Sequence, residues 1–250
     1  MRNMLKKAIL WSCFWVFAAL AFNVYVYFLK GSESALQFFT GYLVEKSLSI
    51  DNLFVFALIF SAFKVTPAQQ HRILQLGIIG ALVFRLVLIL LGTTLIAHFY
   101  WVTYLLGAFL LLTGGKFFFQ KDKQLRPEEN RLVKWIQRLF PRFRKGTLFI
   151  LLMVECTDLI FALDSIPAVF AITSDPFIVY TSNIFAVLGL RSLYFVLAAF
   201  LPRFRHLKSG LATILIFVGL KMVLAPFYAI PIGASLAVIV AILLISILRK

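Results

Sequence analysis

The chain has 250 residues, 62% of them hydrophobic, with a mean hydropathy of +0.97 and 25 Lys and Arg against ten Asp and Glu. That balance excludes a soluble domain and predicts an all-α, polytopic membrane protein. The two cysteines, Cys13 and Cys156, form no Cys-x-x-Cys motif, which excludes a disulfide framework and leaves no thiol-redox chemistry to see.

Apolar runs with polar breaks predict eight spans, at about 8–29, 36–62, 73–96, 99–119, 148–172, 178–200, 208–226 and 229–248. Arg2, Lys6 and Lys7 precede the first, as they would in a signal peptide, but its apolar run is too long for a typical h-region. With the N-terminus cytoplasmic, the basic segments 1–7, 63–72, 121–145, 203–208 and 249–250 all fall inside, and the outer breaks hold Lys30 alone. The +15 charge is therefore expected to set orientation, with both termini cytoplasmic and no nucleic-acid partner. The segment 121–145 carries nine basic residues. Its Leu132, Val133, Trp135, Ile136, Leu139 and Phe140 suit an amphipathic helix on the inner leaflet, and a solvated basic loop fits equally well.

Rare landmarks recur in order. Glu45 stands six residues before Asp51, which Asn52 follows; Asp158 stands six before Asp164, which Ser165 follows. Arg85 of the third span matches Arg191 of the sixth, and Lys116 of the fourth matches Lys221 of the seventh. Spans two to four thus resemble spans five to seven. An odd number of spans per unit inverts the second copy, as in many secondary transporters. The expected layout is one membrane domain: residues 1–35 a first span and outer turn, 36–119 repeat one, 120–146 a basic cytoplasmic loop, 147–226 repeat two and 227–250 a last span.

Five of the ten acids (Glu45, Asp51, Glu155, Asp158 and Asp164) lie inside apolar runs. A charge at bilayer depth costs at least about 2.5–3.5 kcal/mol, so these residues read as functional. With Asn52 they form the candidate metal set, supported by the hydroxyls of Ser47, Thr157 and Ser165. Carboxylate and amide oxygens are hard ligands that suit Mn²⁺, Mg²⁺ or Ca²⁺. Arg85, Arg191, Lys116 and Lys221 are candidate interior counter-charges. The same charges also read as buried ion pairs that fix helix contacts without a ligand. Residues nine apart sit on opposite sides of a helix, so Glu155 and Asp164 cannot meet on a straight one. Pro167 removes an N–H and predicts a kink or unwinding around Leu163–Pro167. By repeat symmetry Asp51 and Asp164 are central, with Glu45 on the outer side and Asp158 on the inner side.

The run Gly41-Tyr42-Leu43-Val44-Glu45-Lys46-Ser47-Leu48-Ser49-Ile50-Asp51-Asn52-Leu53 and the run Glu155-Cys156-Thr157-Asp158 through Asp164-Ser165-Ile166-Pro167 resemble the two signatures of the TerC (tellurium-resistance protein C) family, in its Alx-like branch. The likeness extends through Gly80-Ala81 with Arg85, Thr173-Ser174-Asp175-Pro176-Phe177 and Leu188-Gly189-Leu190-Arg191, over about residues 36–245. It implies a fold like that of the lysine-exporter superfamily, a bacterial cytoplasmic membrane location and Mn²⁺ efflux rather than catalysis. Mn²⁺ is then the substrate, no cofactor is held permanently, and the partners are the cation and the lipid bilayer. A membrane scaffold or redox-stress factor, and a Ca²⁺ exporter, are the alternatives the resemblance leaves. Longer members of the branch resemble this chain with one further N-terminal span, so it is expected to begin one span later.

Overall fold

The computed structural model describes residues 2–99, 101–119, 146–200, 207–225, 227–228 and 230–248. The side chains of Asp51 and Asp164 lie outside the description, as does the basic segment 120–145. All regular structure among the described residues is helical: α1 (Arg2–Ala62), α2 (Pro67–His98), α3 (Trp101–Phe119), α4 (Thr147–Phe170), α5 (Pro176–Leu188), α6 (Leu190–Phe200), α7 (Leu207–Leu224) and α8 (Ile232–Leu248).

The 61 residues of α1 are not one rod. Gly31 takes φ 89° and ψ 178°, a backbone that side chains disfavour, and there the chain folds back. Phe22 and Phe38 pack with ring centroids 5.3 Å apart, tilted by 49°. On a straight helix they would stand about 24 Å apart along the axis. The fold-back also brings Trp15 and Lys46 together against Gly189. Two predicted spans therefore share one helical label. Leu5–Ser49 and Pro67–His98 are long and apolar enough to cross a membrane, and Pro176–Leu188 with Leu190–Leu197, bent by 43°, forms a third when taken as one broken span. Aliphatic and aromatic side chains such as Phe17, Phe28, Leu112 and Leu248 stay exposed, which suits a lipid-facing exterior.

The unwinding expected around Leu163–Pro167 is not found, since every residue from Thr147 to Phe170 keeps its helical backbone. α4 runs helically through Pro167 to Phe170. Pro167 lies in the last turn and leaves the Leu163 carbonyl of the preceding turn without its helical donor, while its own carbonyl still accepts from the Ala171 backbone at 3.2 Å. The break falls instead at Gly189, between α5 and α6. There Lys46 Nζ reaches across from α1 and donates to the Ala186 carbonyl at 3.1 Å. A side chain at 189 would collide with that ammonium.

Helices α3 and α7 cross closely through small residues. A Cβ at Gly107 would stand 3.1 Å from the Gly219 carbonyl, and one at Gly114 would stand 2.9 Å from the Ala212 carbonyl. Small residues let backbones approach where apolar burial gives no drive. Lys116, two positions past Gly114, points about 200° away and is exposed. It is not an interior counter-charge, contrary to its sequence reading. Two apolar cores flank the interior. One gathers Val44, Leu48, Ile89 and Ile166, the other Leu53, Phe56, Ala81 and Val154. Arg85 lies on α2 midway between Ala81 and Ile89, and so between the two cores.

Candidate functional site

Arg85 is fully buried, an arrangement that demands partners for five N–H donors. Its Nη1 pairs with Glu45 Oε1 of α1. The same Nη1 donates to Asn183 Oδ1 of α5 at 2.6 Å. Its Nε and Nη2 reach Asp158 Oδ2 and Oδ1 of α4, each at 3.4 Å. Four helical elements thus meet on one guanidinium.

The flanking polar groups complete the cluster. Ser165 Oγ and Ser49 Oγ donate to Glu45 Oε1 at 3.3 and 3.5 Å. Asn52 Nδ2 donates to Asp158 Oδ1 at 3.3 Å. Glu45 therefore sits level with Ser165, and Asp158 level with Asn52, the order that antiparallel helices require. Charge does not balance among these groups. With both carboxylates ionised, two negative charges face one positive charge. Glu45 is 0% exposed, yet its Oε2 has no hydrogen-bond partner among the described residues. An orphaned carboxylate oxygen at such depth is costly unless something else meets it.

Glu155 stands apart from this cluster. It is half-buried, and its Oε2 also lacks a partner among the described residues. Gly77 and Gly80 of α2 make its niche: a Cβ at 77 would come within 3.2 Å of Glu155 Oε1, and one at 80 would overlap the carboxyl group. The niche opens on a small cavity of about 30 Å³, lined in part by Ala81, Val154, Glu155, Asp158 and Arg191. That volume exceeds the roughly 10–15 Å³ that a single water needs.

The remaining sequence candidates divide. Ser165 and Asn52 join the cluster. Ser47 and Thr157 instead donate to carbonyls of their own helices, those of Leu43 and Met153, at 2.5 and 2.7 Å. This back-bonding absorbs the hydroxyl proton, so neither serves the cluster as a donor. Arg191 lines the cavity and makes no ion pair among the described residues. Lys221 is buried on α7, away from the acids' hydrogen bonds. The described side chains hold no group of three His, Cys, Asp or Glu placed to bind a metal ion. Asp51 and Asp164, central in the sequence reading, lie outside that description.

Three contributors were not among the sequence candidates. Asn183 is fully buried and holds the guanidinium. Ser49 touches Glu45, and the Gly77–Gly80 pair shapes the Glu155 niche. Asn183 had a signal: it is an amide inside an apolar run, and the argument applied to the acids applies to it too.

The integral membrane protein TerC family model matches residues 30–250. An uncharacterized membrane protein of Myxococcus xanthus, STKORF319, is 46% identical over 262 residues, covering 98% of this chain and 82% of its own. The putative membrane-bound redox modulator Alx of Salmonella typhi is 45% identical over 267 residues, covering 97% and 83%. The Alx protein of Escherichia coli K12 is 44% identical over 268 residues, with the same coverage. No solved structure matches. A family match of this extent, with relatives alike over nearly the whole chain, places its membership beyond the two acidic motifs alone: the chain belongs to the TerC family of integral membrane proteins.

Proposed function

We propose that the chain exports a hard divalent cation, Mn²⁺ foremost, through the buried cluster between α1, α2, α4 and α5. One observation carries this reading: two buried carboxylates share a single guanidinium, and Glu45 Oε2 is left without a partner. The deficit is one positive charge plus an open oxygen ligand. A divalent cation supplies the charge and takes oxygen ligands at such sites. Glu45, Asp51, Asn52, Glu155, Asp158 and Asp164 form its path, with no resident cofactor and no catalytic step.

Alternating access between inverted repeats, eight spans and a cytoplasmic-membrane location with both termini inside belong to the same reading. Pairwise contacts support the repeat. Glu45 and Asn52 stand to Asp51 as Asp158 and Ser165 stand to Asp164. Exchanging the two sets turns the Glu45–Ser165 hydrogen bond into the Asp158–Asn52 one. Likewise Gly107 and Gly114 stand nine and two residues before Lys116, as Ala212 and Gly219 stand before Lys221. The same exchange turns the Gly107–Gly219 approach into Ala212–Gly114. An ion gradient is the energy source in this scheme.

The test is cellular Mn²⁺ content under manganese excess, comparing the parent chain with Asp51→Asn and Asp164→Asn at equal membrane abundance. Lower manganese with the parent, lost in both variants, is the expected result. Manganese unchanged by the parent would sink Mn²⁺ export. Repeating the assay with Ca²⁺ then separates another cation from a scaffold or a redox role, the latter being what the name of the Alx relatives states.

A further inference from the structure

Arg85 fills the space between the two acids that a cation would need. Its nitrogens divide between Glu45 on one side and Asp158 on the other. The grip on Asp158 is long, at 3.4–3.5 Å, while the bond to the neutral Asn183 Oδ1 is 2.6 Å. A guanidinium and a divalent cation cannot share two carboxylates in a dry interior without strong like-charge repulsion. Asn183 offers the displaced guanidinium an acceptor that carries no charge.

We infer that Arg85 is a tethered competitor of the transported cation: it occupies the Glu45–Asp158 site when that site is empty, yields it to a divalent ion by shifting onto Asn183, and thereby rejects monovalent ions. This inference rests on the cation-transport reading and assigns that site its selectivity. A monovalent ion that displaces the guanidinium replaces one positive charge by another and gains nothing. A divalent ion brings the charge that the carboxylates lack. Arg85 also spares the empty site two unneutralised carboxylates, which low-dielectric surroundings would punish.

The experiment is Mn²⁺ titration of the purified full chain in detergent, for the parent, Arg85→Gln, Asn183→Leu and the double variant, with and without added guanidinium or Na⁺. Arg85→Gln should bind Mn²⁺ at least about tenfold more tightly, a change of about 1.4 kcal/mol. Its binding should become sensitive to guanidinium and Na⁺, to which the parent is indifferent. Asn183→Leu, which keeps the arginine and its ion pairs, should bind Mn²⁺ more weakly, and that loss should vanish in the double variant. A merely structural arginine moves none of these in this pattern. Unchanged or weaker Mn²⁺ binding in Arg85→Gln overturns the inference, as does an Asn183→Leu loss that persists in the double variant. Should Arg85→Gln fail to fold, Asn183→Leu decides alone: undiminished Mn²⁺ affinity overturns the inference and weakened affinity upholds it. A parent that binds neither Mn²⁺ nor Ca²⁺ sinks the transport reading as well, whereas a parent that binds with variants that match it sinks the inference only.

Discussion

Adjacent glycines on α3 offer a controlled test of the α3–α7 crossing. Gly114 faces α7: its Cβ would stand 2.8 Å from Ile216 Cγ1, 2.9 Å from the Ala212 carbonyl and 3.1 Å from Ile216 N. Two of those three atoms are backbone, so no rotamer change relieves them and the helices must part. Gly115, one residue on, has nothing within 4 Å of its Cβ position. Replacing either by Ala gains about 0.8–1 kcal/mol of helix propensity. Only Gly114→Ala adds the cost of overpacking, about 1–3 kcal/mol. Gly115→Ala should therefore match or exceed the parent, and Gly114→Ala should fall about 1–3 kcal/mol below Gly115→Ala. On the scale of soluble domains of this size, each kcal/mol moves the midpoint by about 2–4 °C. Thermal unfolding of the three proteins in one detergent reads the difference. Equal midpoints for the two variants would refute the close crossing.

Two further predictions concern the ends and the niche. Asp175 caps α5, accepting from the backbone of Phe177 and Ile178 at 2.9 and 3.4 Å, and pairs with Lys30 at 2.5 Å. Burial would raise its pKa, but the Lys30 and backbone hydrogen bonds outweigh that and hold it below the ordinary 3.8. Its stabilisation is thus complete above the unfolded value and is lost as pH falls through the lower folded one. Asp175→Asn should flatten the fall of the unfolding midpoint below about pH 4, and parallel curves for parent and variant would refute this. Gly80→Ala should displace the Glu155 carboxyl at little cost, since the crowded atoms end a flexible side chain. Stability should hold within about 1 kcal/mol while Mn²⁺ export drops, and undiminished export would exclude Glu155 from the path.

What was legible in the sequence followed charge. Glu45, Asp158 and Arg85 stood out because ionised groups are rare in apolar runs, and they do meet. Helical character was equally readable, since each apolar run falls on described helical residues, the sixth on two helices. Lys116 misled because a charge was placed by span without its helix face, which the neighbouring Gly114 decides. Pro167 points to unwinding because proline is a local breaker, yet the helix continues through it. The break at Gly189 depends on Lys46 and Trp15, whose positions no local signal reveals. Asn183 went unnoticed because one neutral amide is a weaker mark than a charge. Its importance arises only when α5 packs against α2.

The ammonium of Lys46 has a mechanical meaning. A helix that stops inside an apolar interior leaves carbonyl oxygens that water cannot reach, and here one of them is answered by a different helix. The angle between α5 and α6 is therefore latched to the position of α1. Sliding α1 along its axis withdraws the donor and strands the Ala186 carbonyl at a cost of about 1–3 kcal/mol unless the bend changes with it. Glu45, the preceding residue in sequence, travels on the same turn of α1 and carries one arm of the arginine clamp. Any movement that loosens the clamp from the α1 side thus also pulls on the elbow, so the two respond as one lever rather than as separate joints.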